Sequence, residues 1–180
     1  MTDALLMIDV QRNMFEPEPV HDAEGVLDRL GQLLDAARSR DIPVIYVRNN
    51  GDAGEVDEPH TPGWEIHPAL APLPGEPVVD KWEPNAFAAT DLAALAADAG
   101  ADTVVLAGMQ SEWCIAATGA GAEPAGLAPL VVSDAHSTYD GEHPAAELMT
   151  DVNRVAAETG LTATTSEVLI RWEAAAAVDV

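Results

Sequence analysis

The chain has 180 residues, 48% of them hydrophobic and 22% charged, and 8 basic against 31 acidic side chains give it a formal charge of −23. That length suffices for one α/β domain with a full core, and the composition excludes a disordered chain. Nucleic acid and anionic membranes are poor partners for so acidic a protein, because both carry dense negative charge.

No apolar run reaches membrane-spanning length. Met1-Thr2-Asp3 contains no basic segment, and the apolar run from Ala4 to Ile8 is cut by Asp9. No secretory leader is expected, and the cytoplasm is the predicted compartment.

Residues 4–8 read as a first strand. Residues 20–40 carry apolar side chains at helical spacing (Val26, Leu27, Leu30, Leu33, Leu34, Ala37). Residues 43–47 form a β-branched second strand. Residues 49–74, rich in Gly, Pro and Asp, predict a long loop with one turn of helix at most, and a loop of that length is usually functional. A short strand follows at 78–81, then a helix at 90–99 with Thr90 as N-cap and Gly100 as its stop. Residues 103–107 are a strong buried strand, and a helix starts at Ser111. Pro124 interrupts that helix, so it ends or kinks near Ala122. The glycines from Gly119 to Gly126 do not directly follow a strand, so they are no dinucleotide-binding loop. A strand at 130–133, a helix at 144–159, a weak edge strand at 161–165 and a helix at 166–176 complete the pattern.

Six strands alternate strictly with five helices. This predicts an α/β fold of three α/β/α layers, Rossmann-like, around a mostly parallel six-stranded sheet. A single domain over residues 1–180 is expected.

In such a sheet, ligands bind beyond the carboxyl ends of the strands. Asp9, Lys81 and Cys114 all fall at such ends. Lys81 is the only lysine beside seven arginines, and Cys114 the only cysteine, so no internal disulfide exists. A lone cysteine is commonly a small buried hydrophobe, and Asp at a strand end is commonly a cap. The coincidence of three placements points to chemistry instead. A helix N-terminus and a nearby ammonium favour a thiolate nucleophile, and a carboxylate can move the thiol proton to a leaving amine.

Three ordered segments carry a family resemblance. They are Leu6-Met7-Ile8-Asp9-Val10-Gln11-Arg12-Asn13-Met14-Phe15, then Val79-Asp80-Lys81 with Asn85-Ala86-Phe87, then Gly108-Met109-Gln110-Ser111-Glu112-Trp113-Cys114-Ile115-Ala116-Ala117-Thr118. Together with Ser133-Asp134-Ala135-His136-Ser137-Thr138 they resemble the isochorismatase-like hydrolase superfamily, over about residues 4 to 170. That group includes nicotinamidases, N-carbamoylsarcosine amidohydrolases and streptothricin hydrolases. The resemblance implies a triad of Asp9, Lys81 and Cys114. It also implies a non-proline cis peptide between Met109 and Gln110, an oxyanion hole made by the amides of Gln110 and Cys114, and a homo-oligomer (dimer or tetramer). Ser111 stands in conflict with that hole if it caps the helix by accepting from the Cys114 amide.

The chain departs from nicotinamidases at Arg48-Asn49-Asn50-Gly51-Asp52, where their Asp-x-His metal motif is missing. His60 and His67 are read as solvent-facing or substrate-lining residues. No metal and no cofactor is expected. Phe15, Trp64, Phe87 and Trp113 are the candidate walls of a substrate pocket, with Trp82 as a further aromatic near the motifs. Asp57, Glu58 and Glu65 sit in the long loop, where they either draw a cationic substrate or simply keep the loop solvated.

The expected function is hydrolysis of a C–N bond in a small amide or lactam through a Cys114 thioester. The alternatives are vinyl-ether hydrolysis of the isochorismatase type, which needs no cysteine nucleophile, and a catalytically silent interaction module.

Overall fold

Asp3–Ile8, the first strand β1, has every side chain buried, so its two alternating faces both need a covering layer. The computed structural model, which describes residues 2–176, supplies both layers. The domain expected over 1–180 therefore has Met1 and residues 177–180 outside the described residues.

β1, β2 (Val44–Asn49), β3 (Val78–Lys81), β4 (Thr103–Met109), β5 (Ala128–Ser137) and β6 (Leu161–Ala163) form one sheet in the order β3-β2-β1-β4-β5-β6. Every neighbouring pair is parallel. On one face Leu5, Met7, Tyr46 and Val105 pack against α1 (Ala23–Ser39) and α5 (Thr165–Ala176), through Leu30, Leu33, Val168 and Trp172. On the other, Leu6, Ile8, Ile45 and Leu106 meet α2 (Leu92–Asp98) and α3 (Ala116–Ala122), with the half-buried Val152 and Ala156 of α4 (Ala145–Thr159) beside them. Truncating one of the large central side chains to Ala costs about 2–5 kcal/mol.

The alternation is not strict. Between β2 and β3 the chain forms only a 3₁₀ turn, Pro68–Leu70, because the Gly-, Pro- and Asp-rich segment cannot sustain a helix. Thr90 does not cap α2 as N-cap residue; Asp91 holds that position, while Thr90 Oγ1 accepts from Leu92 N at 3.2 Å. Gly100, with φ of +67°, ends the helix in the left-handed conformation. The helix after β4 ends at Ala122, and a 3₁₀ turn containing Pro124 follows. β5 runs four residues past its expected end, and its pairing with β4 shifts register between Leu106 and Gly108. Among the described residues, no helix is long and apolar enough to cross a membrane.

The strand order turns back between β1 and β4, which are neighbours at the centre of the sheet. Crevices open at such a switch point. Gly108 makes the close approach possible there: its φ is +129°, and a Cβ on it would lie 1.9 Å from the Ile8 carbonyl oxygen.

Candidate active site

Four strand ends converge on this crevice. Asp9 follows β1 with a left-handed φ of +48°, a conformation that Asp tolerates better than branched residues do. Asn49 closes β2 and stands in register with Lys81, which closes β3. Cys114 follows β4 on a turn from Ser111 to Ile115 that is π-helical, not the ordinary α-helical start expected from the sequence. The Ile115 amide donates to the Gln110 carbonyl at 3.1 Å, five residues back, which widens the turn.

Lys81 is fully buried, and its ammonium has three donors. All three are used: Nζ lies 2.9 Å from Asp9 Oδ2, 3.0 Å from Asn49 Oδ1 and 3.2 Å from Cys114 Sγ. Asp9 is 1% exposed, and its second oxygen, Oδ1, is buried with no hydrogen-bond partner among the described residues. Burial raises the Asp9 pKa, and Lys81 only partly offsets it. Burial works against the Lys81 charge too, but Asp9 and then Cys114 outweigh it, and its pKa ends above the ordinary lysine value. The thiol goes the other way from the sequence expectation. Burial first, and then the charge of Asp9, push Cys114 up to about 12 against the pull of Lys81. Burial and the Asp9 charge thus favour the neutral thiol of Cys114 over its thiolate.

The Met109–Gln110 peptide is cis. Ser111 makes no hydrogen bond to the Cys114 amide. Its hydroxyl instead reaches His136 Nδ1 at 2.7 Å. His136 Nε2 lies 2.9 Å from Asn153 Oδ1, and Asn153 Nδ2 donates to the Ser133 carbonyl at 2.9 Å. The amide orientation of Asn153 thus makes Oδ1 the acceptor of Nε2–H, and Ser111 O–H donates to Nδ1. Burial lowers the His136 pKa, in keeping with this neutral ring. The relay anchors the turn that carries Cys114 to β5 and α4.

Above Cys114 and Asp9 opens a cavity of about 870 Å³. Of the four aromatic walls expected, only Trp113 lines it, with 59% of its surface exposed. Phe15 turns away to pack on His67, with ring centroids 4.9 Å apart. Trp64 is held elsewhere: its indole N–H donates to Asn50 Oδ1 at 2.6 Å, and the Arg48 guanidinium covers its ring. Phe87 packs on the α2–α3 side of the core. Met14, Tyr139 and Val56 take their places in the lining. Of the three loop acids, Asp57 faces the cavity, while Glu58 accepts from Gly54 N and Glu65 pairs with Arg12. His60 is exposed and His67 half-buried, and neither lines the cavity.

Asn49 escaped the sequence reading. Its side chain accepts from Lys81 and donates to Asp57 Oδ2 at 2.8 Å, while Gln11 clamps its backbone from both sides. The signal lay in the segment from Arg48 to Asp52, where a metal motif was sought and an amide that serves an ammonium stands instead. Among the described residues, no three His, Cys, Asp or Glu side chains cluster to hold a metal ion.

A doubly wound parallel α/β protein with a buried lysine between a carboxylate and a cysteine at its switch point is thus defined by geometry. Residues 3–165 match the Isochorismatase domain, and the chain belongs to the isochorismatase family of hydrolases. It is 44% identical over 138 residues to a streptothricin hydrolase of Streptomyces noursei, a match covering 76% of this chain and 55% of that protein. The chain spans about half the length of the streptothricin hydrolases it matches. It is 35% identical over 142 residues to the uncharacterized isochorismatase family protein YddQ of Bacillus subtilis (strain 168), covering 77% of this chain and 79% of that one. The crystal structure of a cysteine hydrolase from Pseudomonas syringae pv. phaseolicola 1448A superposes with a TM-score of 0.89 at 25% identity, over 96% of this chain and 93% of that one.

Proposed function

We propose that the protein hydrolyses a C–N bond of a small amide or lactam through a thioester on Cys114. The observation that carries this reading is the single ammonium of Lys81 in contact with both Asp9 Oδ2 and Cys114 Sγ beside an open cavity. As Sγ attacks the carbonyl carbon, the thiol proton passes to Asp9, and the carbonyl oxygen becomes an oxyanion that the amides of Gln110 and Cys114 stabilise. Asp9 then gives the proton to the leaving nitrogen, and the C–N bond breaks. Water, deprotonated by Asp9, attacks the thioester, releasing the carboxylic acid and restoring the thiol. Lys81 holds Asp9 in place and remains protonated throughout. Asp9 Oδ1, buried and without a hydrogen-bond partner among the described residues, is free to accept the travelling proton. The match to streptothricin hydrolase supports an amide- or lactam-type substrate. A cysteine in this position weighs against vinyl-ether hydrolysis, which requires no thiol.

The test is an amide and lactam library read by release of ammonia or amine, with wild type and Cys114→Ala side by side. Turnover in wild type and none in Cys114→Ala is expected. A Cys114→Ala protein with near wild-type kcat would overturn the covalent mechanism.

A further inference from the structure

The cavity over Cys114 is lined by acidic side chains alone among the charged types: Asp9, Glu16, Glu18, Glu55 and Asp57. Net acidity for solubility accounts for carboxylates in water, such as Glu18 and Glu55. It does not account for Asp57, which is only 9% exposed, because burying a charge without a counter-charge is costly. One Asp57 oxygen is held by the neutral Asn49 amide, and no cation faces it among the described residues. The nearby cations are all committed elsewhere. Lys81 spends its donors on Asp9, Asn49 and Cys114. Arg48 is bound to Asp80 at 2.7 Å, and Arg12 to Glu16 at 2.7 Å.

A second observation points the same way. Away from the Asp9–Cys114 pair, Asn13 Oδ1 is a buried acceptor in the lining with no donor among the described residues. A cavity that presents a spare acceptor and uncompensated negative charge complements a ligand rich in N–H and positive charge. Trp113 and Tyr139 add aromatic faces of the kind that attract ammonium and guanidinium groups. The field of these acids is felt inside the site: Asp57 helps to raise the Asp9 pKa, and after burial both Glu18 and Asp57 raise that of Tyr139.

We infer that the substrate carries an ammonium or guanidinium group beyond its scissile bond, held against Asp57 with Glu18 and Glu55 at the mouth. This names a substrate class for the site and rests on the amide-hydrolase reading above. The acid at Asp57 places the cation near the reacting centre, and the mouth acids raise its local concentration.

The experiment has two arms. In the first, ammonia release is measured from three amides of similar length: 5-aminopentanamide (cationic), hexanamide (neutral) and adipamic acid (anionic). The expected kcat/KM order is cation, neutral, anion, with about tenfold at each step at low ionic strength. The gap narrows in about 0.5 M salt and in Asp57→Asn. In the second arm, butylguanidinium and its neutral counterpart butylurea are compared for protection of Cys114 against iodoacetamide, which needs no turnover. Butylguanidinium is expected to protect at the lower concentration. Charge-blind hydrolysis with equal protection overturns the cationic substrate and leaves the hydrolase intact. Charge-selective protection with all three amides left uncut sustains the cation site and counts against hydrolysis of simple amides.

Discussion

Lys81 Nζ lies 3.2 Å from Cys114 Sγ, and the thiol's pKa is nonetheless pushed up rather than down. The ammonium's pull on the thiol is real, but burial and the Asp9 carboxylate exceed it. In the proposed mechanism Cys114 enters as a thiol and gives up its proton only during attack, to Asp9.

Asp9→Asn separates reactivity from turnover. Removing the carboxylate takes away a charge that raises the Cys114 pKa and leaves the lowering charge of Lys81 in place. Alkylation of Cys114 by iodoacetamide at about pH 8 is expected to accelerate, while amide hydrolysis is lost. Slower alkylation in Asp9→Asn would contradict the assigned charge state.

Lys81→Arg keeps the charge and is expected to lose activity. Three acceptors converge on one nitrogen in a fully buried position, and the larger planar guanidinium cannot meet all three without displacing neighbours. A loss on the order of a hundredfold in kcat/KM, roughly 2.7 kcal/mol, is expected from steady-state kinetics. A silent substitution would return Lys81 to the role of a simple charge.

In the proposed mechanism the acid limb of the pH–rate profile is expected to report Asp9. The base form is needed, so kcat/KM is full above the Asp9 pKa and falls as pH drops through it. Burial places that limb above the ordinary carboxylate value of 3.8. Asp57 adds to the rise, so Asp57→Asn moves the limb to lower pH with a neutral amide as substrate. An unmoved limb would mean that Asp57 does not act on the base.

His136 links pH to stability. Its folded pKa is lowered below 6.5 by burial, so the unfolded chain takes up its proton first as pH falls. The stability it contributes is full above that value and is lost as pH declines toward the folded one. The drop in Tm between about pH 7.5 and pH 5.5 is expected to shrink in His136→Gln. Ser111→Ala removes the donor to the buried Nδ1 and costs about 1–3 kcal/mol in denaturant unfolding.

The strand ends were legible because β1 to β4 are short apolar runs that stop at polar residues. That placed Asp9, Lys81 and Cys114 at strand ends, and the family resemblance singled them out as a triad. The far half of β5 was not, since the polar Asp134, His136 and Ser137 lie beyond the expected strand end at Ser133. They stay in the strand because their polar atoms find partners: Asp134 accepts from Thr165, His136 joins Ser111 and Asn153, and Ser137 donates to the His21 carbonyl. The cavity wall was least legible. Phe15 and Trp64 sit near the motifs in sequence, but loop geometry turns them to His67 and Asn50. Met14 and Tyr139, far apart in sequence, meet through the bond from Tyr139 Oη to the Asn13 carbonyl at 3.0 Å.

The solitary thiol has a bearing on oxidative damage. A peroxide that reaches Cys114 forms a sulfenic acid, and the sequence offers no second cysteine to trap it as an internal disulfide. Rescue falls to a reductant from solution, which must pass the carboxylates at the mouth before it meets the sulfur. The attacking thiolate of dithiothreitol carries one negative charge and that of glutathione two, so dithiothreitol should reactivate the oxidised protein faster than glutathione at equal thiolate concentration and low salt.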